Sequence, residues 1–181
     1  MVSTSNVLQE FDANRETVLQ ELRTRMSNVS QSIARLSRVA RIVVPEKRIA
    51  ELEWLDAIFE ERVLGVMDRL VRSLSVFRGT PECVTRARDR LWAGLPPASK
   101  AKQEFKDCEI FEEFLELAGA LRKQSFDQPI VFVTSNTSDY GPPPQGHEQV
   151  ASDLTAASCS FAGNLAWARA VLLRRLPDGC S

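Results

Sequence analysis

Two polar segments in the second half of the sequence contain residue types that can bind a divalent cation. In Phe105–Ile110, Asp107 opens an amphipathic helical pattern, and in Thr134–Tyr140, Asn136 and Asp139 follow an apolar, β-branched run. Carboxylate and amide oxygens are ligands that Mg²⁺ and Mn²⁺ prefer. An ion held by them would activate a water molecule and stabilise charge on a phosphodiester. The chemistry indicated is metal-assisted hydrolysis of a phosphodiester bond.

Both carboxylates also have a plainer interpretation. Asp is a favoured residue at the start of a helix, where Asp107 lies, and in turns, where Asp139 lies. A metal site is favoured over these structural roles because ligands collect at the carboxyl edge of an open α/β sheet, where strands end and helices begin. Glu10 would add a third oxygen ligand if the first helix packed beside these segments.

The elements of the first half show helical periodicity. From Val18, and again from Leu52, apolar residues recur at steps of three and four, with a break at Ile42–Pro45. We expect two long helices that form an antiparallel hairpin over residues 18–78. Its arginines are interleaved with glutamates, which favours a solvated, ion-paired face over a surface for RNA phosphates.

The second half, residues 100–181, predicts an α/β arrangement. The run Ile130–Thr134 is typical of a strand buried on both faces in a parallel sheet covered by helices. A short strand at Ser160–Ala162 and a closing helix at Leu165–Leu176 would complete it. Because the length suits one core, we interpret residues 1–181 as a single domain.

Composition narrows the class of protein. With 44% hydrophobic and 26% charged residues the chain matches a folded globular protein, and a net charge of −1 provides no general attraction for nucleic acid. No apolar stretch reaches the roughly 18 residues that cross a bilayer, so we expect a cytosolic protein without membrane contact. A Gly-rich phosphate loop is absent from the sequence, which argues against an unrelated phosphate-binding domain.

Cysteine and histidine give no catalytic motif. The four cysteines are widely separated and form no Cys-x-x-Cys pair, which is typical of free thiols in a reducing compartment. His147 lies in a Pro/Gly-rich loop without a nearby nucleophile, so we interpret it as a solvated loop residue.

Four segments together resemble the PIN-like nuclease domains, in particular a bacterial subgroup. They are Val7–Asp12, Lys106–Ile110, Val131–Tyr140 and the tail Phe161–Ala168. The resemblance runs through most of the chain in order, with the central hairpin as the variable part. It implies a parallel sheet flanked by helices, Mg²⁺ or Mn²⁺ as the cofactor and RNA as the substrate. An antitoxin-like protein partner is left open.

The resemblance also implies roles for individual residues. The metal ligands would occupy the acidic and amide positions Glu10, Asp107, Asn136 and Asp139. Glu10, Asp107 and Asp139 would be the catalytic carboxylates. Thr134 or Ser135 would provide the hydroxyl that holds the last loop together.

The chain departs from the family pattern at its start. PIN-like domains begin with an apolar strand that ends in an Asp, whereas only Met1–Asn6 precedes Val7 here. Aligning Val2–Ser5 with that motif would put Ser3 in place of the Asp, but the segment is short for such a strand. We therefore expect a late start, a sheet without its first strand and first Asp, weak metal binding, and poor or no cleavage of RNA. The alternative is a noncatalytic helical protein whose hairpin binds a partner.

Overall fold

The structure, a computed structural model, describes residues 1–43, 53–98 and 105–175. Helices predominate, and the strands are short. In chain order the elements in these ranges are β1 (Val2–Thr4), α1 (Ser5–Val43), α2 (Glu53–Arg72), β2 (Ser75–Phe77), α3 (Pro81–Ala93), α4 (Phe105–Lys123), β3 (Ile130–Val133), α5 (Thr137–Tyr140), α6 (Glu148–Ala156), β4 (Cys159–Ala162) and α7 (Leu165–Arg175).

The chain divides into two compact units. We call Met1–Ser3 with Val7–Ser75 the helical unit, and Thr4–Asn6 with Val76–Ser181 the α/β unit. Both of the polar segments that the sequence singles out belong to the α/β unit. The interpretation of the whole chain as one domain stays a prediction.

The helical unit contains the long helix α1. It begins at Ser5, well before the Val18 start expected from periodicity, and runs for 39 residues. Arg15 of α1 donates a hydrogen bond to Asp68 of α2 at 3.0 Å. Leu19, one turn further on, is buried. Long as it is, neither this helix nor another in the described ranges is apolar enough to cross a membrane.

The turn of the expected hairpin lies outside the described residues. The predicted break at Ile42–Pro45 extends beyond Val43, where α1 ends, and the structure does not describe residues 44–52. The hairpin over residues 18–78 therefore stays a prediction.

A strand does form ahead of the first helix. Val2–Thr4, which the sequence pattern left as too short, is β1, and it pairs with β2 in a two-stranded sheet. The N–H of Ser75 donates to the carbonyl oxygen of Met1 at 2.9 Å. Backbone pairing of this kind needs no hydrophobic alternation, so the apolar pattern did not reveal it. The expectation that the family's first strand is missing stays a prediction.

The α/β unit is built around a parallel pair of strands. β3 and β4 pair in parallel, with Phe132 opposite Phe161, and no third strand joins them within the described residues. Parallel strands need a crossover connection, which α5 and α6 provide. This gives a helix-rich α/β fold with its strands as expected from the sequence, apart from their ends.

Aromatic side chains fill the core of this unit. Phe111 of α4 meets Phe132 and Tyr140 edge-on, with ring centroids 5.3 and 5.7 Å apart. Only Phe132 of β3 is buried, so the expectation of a strand buried on both faces is too strong. Within the described ranges this sheet has two strands, so each strand has one edge without a neighbouring strand.

Small buried side chains let α3 and α4 pack closely. Ala87 of α3 and Cys108 of α4 are fully buried, with Ala98 beside them. Gly94 ends α3 with a φ of 64°, a left-handed conformation that glycine adopts without strain. The chain then turns into the loop Leu95–Ala98, which lies against the start of α4.

Candidate metal centre

The loop after β3 is held at its base by backbone and hydroxyl contacts. Thr134 extends the strand pairing, because its N–H donates to the carbonyl oxygen of Ala162 at 3.2 Å. Its side-chain Oγ1 then accepts a hydrogen bond from the N–H of Asn136 at 3.1 Å. Ser135 contributes its carbonyl oxygen, which accepts from the N–H of Thr137 at 2.9 Å. The Thr134 hydroxyl thus fixes the backbone of Asn136, from which its side chain extends.

Asn136 lies between the two carboxylates. Its Nδ2 donates to Asp139 Oδ2 at 2.8 Å and makes a longer contact with Asp107 Oδ2 at 3.5 Å. Its Oδ1 accepts a hydrogen bond from Ser138 Oγ at 2.7 Å. The structure therefore brings Asp107, Asn136 and Asp139 into one group at the carboxyl end of β3. We call these three residues the acidic cluster.

Tyr140 connects the acidic cluster to the core. Its hydroxyl donates to the backbone carbonyl oxygen of Asp107 at 3.0 Å, and its ring is buried against Phe111 and Phe132. Burial, with a smaller contribution from the Asp107 carboxylate, raises the pKa of Tyr140. The phenol stays protonated and continues to donate, so the first turn of α4 is held in place relative to the loop after β3.

A tight glycine turn brings α6 close to the same loop. Gly141 has a φ of 85°, and a Cβ built on it would lie 2.2 Å from the backbone nitrogen of His147. That N–H donates to the carbonyl oxygen of Tyr140 at 2.8 Å. His147 Nε2 lies 3.5 Å from the carbonyl oxygen of Ser138. A side chain at position 141 would push the start of α6 away from the acidic cluster.

The donor groups of the acidic cluster fit a hard divalent cation. Asp107 and Asp139 present carboxylates from two separate elements, and Mg²⁺ commonly binds one or two carboxylates while it keeps several waters. Asn136 now turns its amide nitrogen toward both carboxylates. If a cation lay between the two carboxylates, the Asn136 amide would have to rotate and present Oδ1 to it. All of the protein ligands would then be oxygen atoms.

Glu10 lies on α1 and not on the elements that form the acidic cluster. It is an exposed residue of α1, in the helical unit, whereas Asp107 and Asp139 belong to the α/β unit. Within the described ranges no three Asp, Glu, His or Cys side chains are grouped as a metal would need. Glu10 as a ligand stays a prediction.

A cleft of about 610 Å³ opens beside the acidic cluster. One lining segment comes from the loop after α3 and includes Pro96–Ala98; the other includes Ser138, Asp139 and His147–Gln149. Asp139 therefore belongs to both the acidic cluster and the cleft. Clefts of roughly 300–1,000 Å³ are the usual size for small-molecule-sized ligands.

Buried Arg90 joins the elements around this cleft. Its Nε donates to Glu112 Oε1 at 2.8 Å, one terminal nitrogen donates to the carbonyl oxygen of Pro96 at 2.7 Å, and the other to Asp153 Oδ2 at 2.7 Å. Its guanidinium carbon lies 4.9 Å from the centre of the Phe111 ring. One side chain thus fixes α3, α4, α6 and the loop after α3 relative to one another.

A second ionic group lies one turn away on the same two helices. Arg86 donates to Glu112 at 3.0 Å and to Glu116 at 2.8 Å, and the Cys83 thiol donates to Glu116 at 2.8 Å. Burial opposes ionisation of Glu116, but hydrogen bonds from Cys83, Arg86 and Thr80 outweigh it and lower the pKa to about 2. Burial and Glu116 raise the pKa of Cys83 to about 11. The thiol is therefore a structural donor and not a nucleophile.

Sequence reasoning missed the roles of Arg90 and Tyr140. Arg86 and Arg90 are four residues apart, as are Glu112 and Glu116. That matched spacing of opposite charges on neighbouring helices is a signal for paired faces. No comparable pattern marks Tyr140, because its partner is a backbone carbonyl.

Comparisons with known proteins place the chain in a family. The sequence profile of the PIN domain family matches residues 1–140, which include β1, Asp107 and the loop from Thr134 to Tyr140. A search of curated proteins and a search of solved structures found no match. The family match covers well over half of the 181 residues. The chain therefore belongs to the PIN domain family.

Proposed function

We propose that this protein is a cytosolic endoribonuclease that depends on Mg²⁺ or Mn²⁺. The observation that carries the proposal is the acidic cluster of Asp107, Asn136 and Asp139 at the carboxyl end of β3, in a chain of the PIN domain family. PIN domains have a nuclease-like fold and generally use these two ions. The open cleft beside Asp139 offers room for part of a substrate.

The residues of the cluster have separable roles in this proposal. Asp107 and Asp139 hold the ion, and Asn136 joins them once its Oδ1 faces inward. The ion would supply an activated water and neutralise charge on the phosphodiester. Thr134 and Ser135 fix the loop, and Tyr140 keeps Asp107 at a constant distance from it. With two carboxylates in the cluster, we expect weak affinity for the free ion and slow turnover.

Metal binding is tested most directly with Mn²⁺, whose unpaired electrons broaden nearby NMR signals. We expect Mn²⁺ to broaden the backbone amide signals of Asp107, Asn136 and Asp139 first. Asp107→Asn should remove this selective broadening, whereas Asp127→Asn, in an exposed loop of the same unit, should leave it unchanged. Broadening that is spread evenly over the exposed carboxylates would contradict the site.

Glu10 enters the proposal through the family resemblance alone. As a third ligand it would strengthen binding of the ion, so Glu10→Gln should weaken Mn²⁺ binding in the same titration. Glu21→Gln is the matched control, because Glu21 is also an exposed residue of α1. Equal affinity of the two variants would remove Glu10 from the site.

A second candidate is noncatalytic binding of a protein partner by the helical unit. The observation in its favour is an apolar row on α1: Val18, Val29 and Leu36 are 51%, 49% and 69% exposed. Their spacing of eleven and seven residues places them within about 20° of one line along a helix. An exposed apolar row of this kind is typical of a helix that binds another protein, such as an antitoxin or a second copy.

The apolar row can be tested on the chain itself. If it binds a second copy, the mass measured by light scattering should rise with protein concentration, and Leu36→Glu should abolish the rise. Glu21→Gln serves again as a surface control. A chain that stays monomeric at all concentrations would exclude self-association and leave an unlike partner.

A further inference from the structure

The exposed side of α1 contains charged residues beside the apolar row. Val18 and Leu36 are separated by about five helical turns, so they lie on one line along the helix. Glu21 and Arg35 lie on one side of that line, about 60° and 100° from it, and both are exposed. We call these two residues the charged flank. It is acidic toward the start of α1 and basic toward its end.

The other side of the apolar row faces α2. Arg15 lies there, about 60° from the row, and donates to Asp68 of α2 at 3.0 Å. Leu19, about 100° from the row on the same side, is buried. Since this side is used within the chain, a second protein would reach the apolar row from the charged flank.

The order of these residues along α1 is complementary to its own reverse. Val18 and Leu36 are equally distant from position 27, and Glu21 and Arg35 are equally distant from position 28. When two copies of such a helix run antiparallel about a two-fold axis, residues at equal distances from the axis face each other, and each flank meets the same flank of the other copy. The two centres differ by about 1.5 Å along the helix, which a long arginine side chain spans.

Charge along the whole of α1 favours the same orientation. All acidic residues of α1 lie at or before Glu21, and five of its six arginines follow that residue. An antiparallel copy places the acidic half of one helix beside the basic half of the other, whereas a parallel copy sets like charges side by side. In paired helices, charges that flank the apolar contact determine the orientation.

We propose that α1 binds α1 of a second copy in an antiparallel pair, with the apolar rows in contact and Glu21 of each copy opposite Arg35 of the other. The inference rests on the second candidate function and names its partner; it does not depend on nuclease activity. Arg25 and Ser32 lie within about 40° of the row, and polar residues there weaken a helix pair while they fix its register. We therefore expect a dimer that forms at high protein concentration.

Charge reversal tests the contact between the flanks. Sedimentation equilibrium of the full chain measures the dissociation constant of the dimer. Arg35→Glu should raise this constant about 10-fold, because two attractive contacts become repulsive. Combining Arg35→Glu with Glu21→Arg should restore the original value. Glu21→Gln alone creates no repulsion and should change the constant much less, because exposed ion pairs contribute little.

Arg38→Glu is the matched control for Arg35→Glu. It makes the same change of charge at another exposed residue of α1, but one that lies about 160° from the apolar row. It should leave the dissociation constant unchanged.

Crosslinking with a short bismaleimide measures the orientation. In the antiparallel pair Asn28 lies beside its counterpart at the two-fold axis, so Asn28→Cys should give a covalent dimer. Ser32 would lie about 15 Å along the axis from its counterpart, so Ser32→Cys should give none. In a parallel pair Ser32 would face itself and crosslink. The unmodified chain, which has four cysteines, gives the background.

The outcomes separate this inference from the second candidate function. Rescue of Arg35→Glu by Glu21→Arg, with crosslinking through Asn28→Cys and not Ser32→Cys, would support the antiparallel pair. A chain that stays monomeric, equal effects of Arg35→Glu and Arg38→Glu, or crosslinking through Ser32→Cys would overturn it. If Leu36→Glu abolishes association while Arg35→Glu has no effect, the apolar row still binds a partner, but not in this arrangement.

Discussion

Tyr140 acts on the acidic cluster through the backbone of Asp107 and not through its carboxylate. Tyr140→Phe keeps the ring contacts with Phe111 and Phe132 but removes the hydroxyl donor. We expect a loss of about 1 kcal/mol in the free energy of unfolding, the net value of one buried hydrogen bond. Urea denaturation followed by circular dichroism measures it. Unchanged stability would show that the hydroxyl does not hold α4.

Glu116 makes stability depend on acid pH. Its pKa in the folded protein is about 2, below the ordinary 4.5, so folding favours its ionised form. The stabilisation is present above pH 4.5 and is lost as the pH falls toward 2, because protonation breaks the pairing with Arg86. The urea midpoint should fall over this range in the unmodified chain and fall less in Glu116→Gln.

Asp89→Asn is the control for that pH dependence, because Asp89 is an exposed carboxylate of α3. It should show the same fall as the unmodified chain. A midpoint that declines equally in Glu116→Gln would assign the acid sensitivity to other carboxylates.

At the scale of the elements, the packing of α3, α4 and α6 depends on the geometry of a guanidinium group. Arg90 donates in three directions, to Glu112, Pro96 and Asp153, which an ammonium on a single stem cannot reproduce. Arg90→Lys should therefore cost about 2–4 kcal/mol of unfolding free energy, since it leaves buried charge poorly paired. Arg88→Lys, on the exposed side of α3, should change stability by less than about 0.5 kcal/mol. Similar losses in the two variants would contradict the role given to Arg90.

Elements with a strong local pattern were predictable from the sequence. The apolar run from Ile130 gave β3 to within one residue at each end, and the helical spacing from Leu165 gave the start of α7. Leu176, where that helix was expected to end, lies outside the described residues. The start of α1 at Ser5 was not predicted. The apolar periodicity is clear only from Val18, and no acidic residue marks the first turn of the helix. β1 has three residues, too few for any alternation to be recognised.

Part of the acidic cluster, Asp107 and Asp139, was also predictable from local sequence patterns. Asp107 begins a helix and Asp139 follows a strand, so the rule that such ends meet at one sheet edge brought them together. The contact between Arg90 and Asp153 joins residues 63 positions apart, and nothing local in the sequence indicates it. Contacts of this kind depend on how helices pack, which a single sequence does not show.

At the scale of the whole molecule, the two units contain different candidate functional features. The α/β unit contains the acidic cluster and the cleft, whereas the helical unit contains Glu10 and the apolar row on α1. A catalytic function therefore depends first on the α/β unit. A partner that bound the apolar row on α1 would contact the helical unit.

Cleavage of RNA tests the central claim most directly. The substrate is a single-stranded RNA of mixed sequence, incubated with the unmodified chain in Mg²⁺ or Mn²⁺ and, as a control, in a chelator. We expect slow cleavage that needs the metal and falls at least about 100-fold in Asp107→Asn and Asp139→Asn, because each removes a ligand worth several kcal/mol of transition-state stabilisation. Asp127→Asn should cleave at the unmodified rate. Cleavage that persists in both cluster variants, or a folded chain that shows no metal-dependent cleavage, would contradict the account.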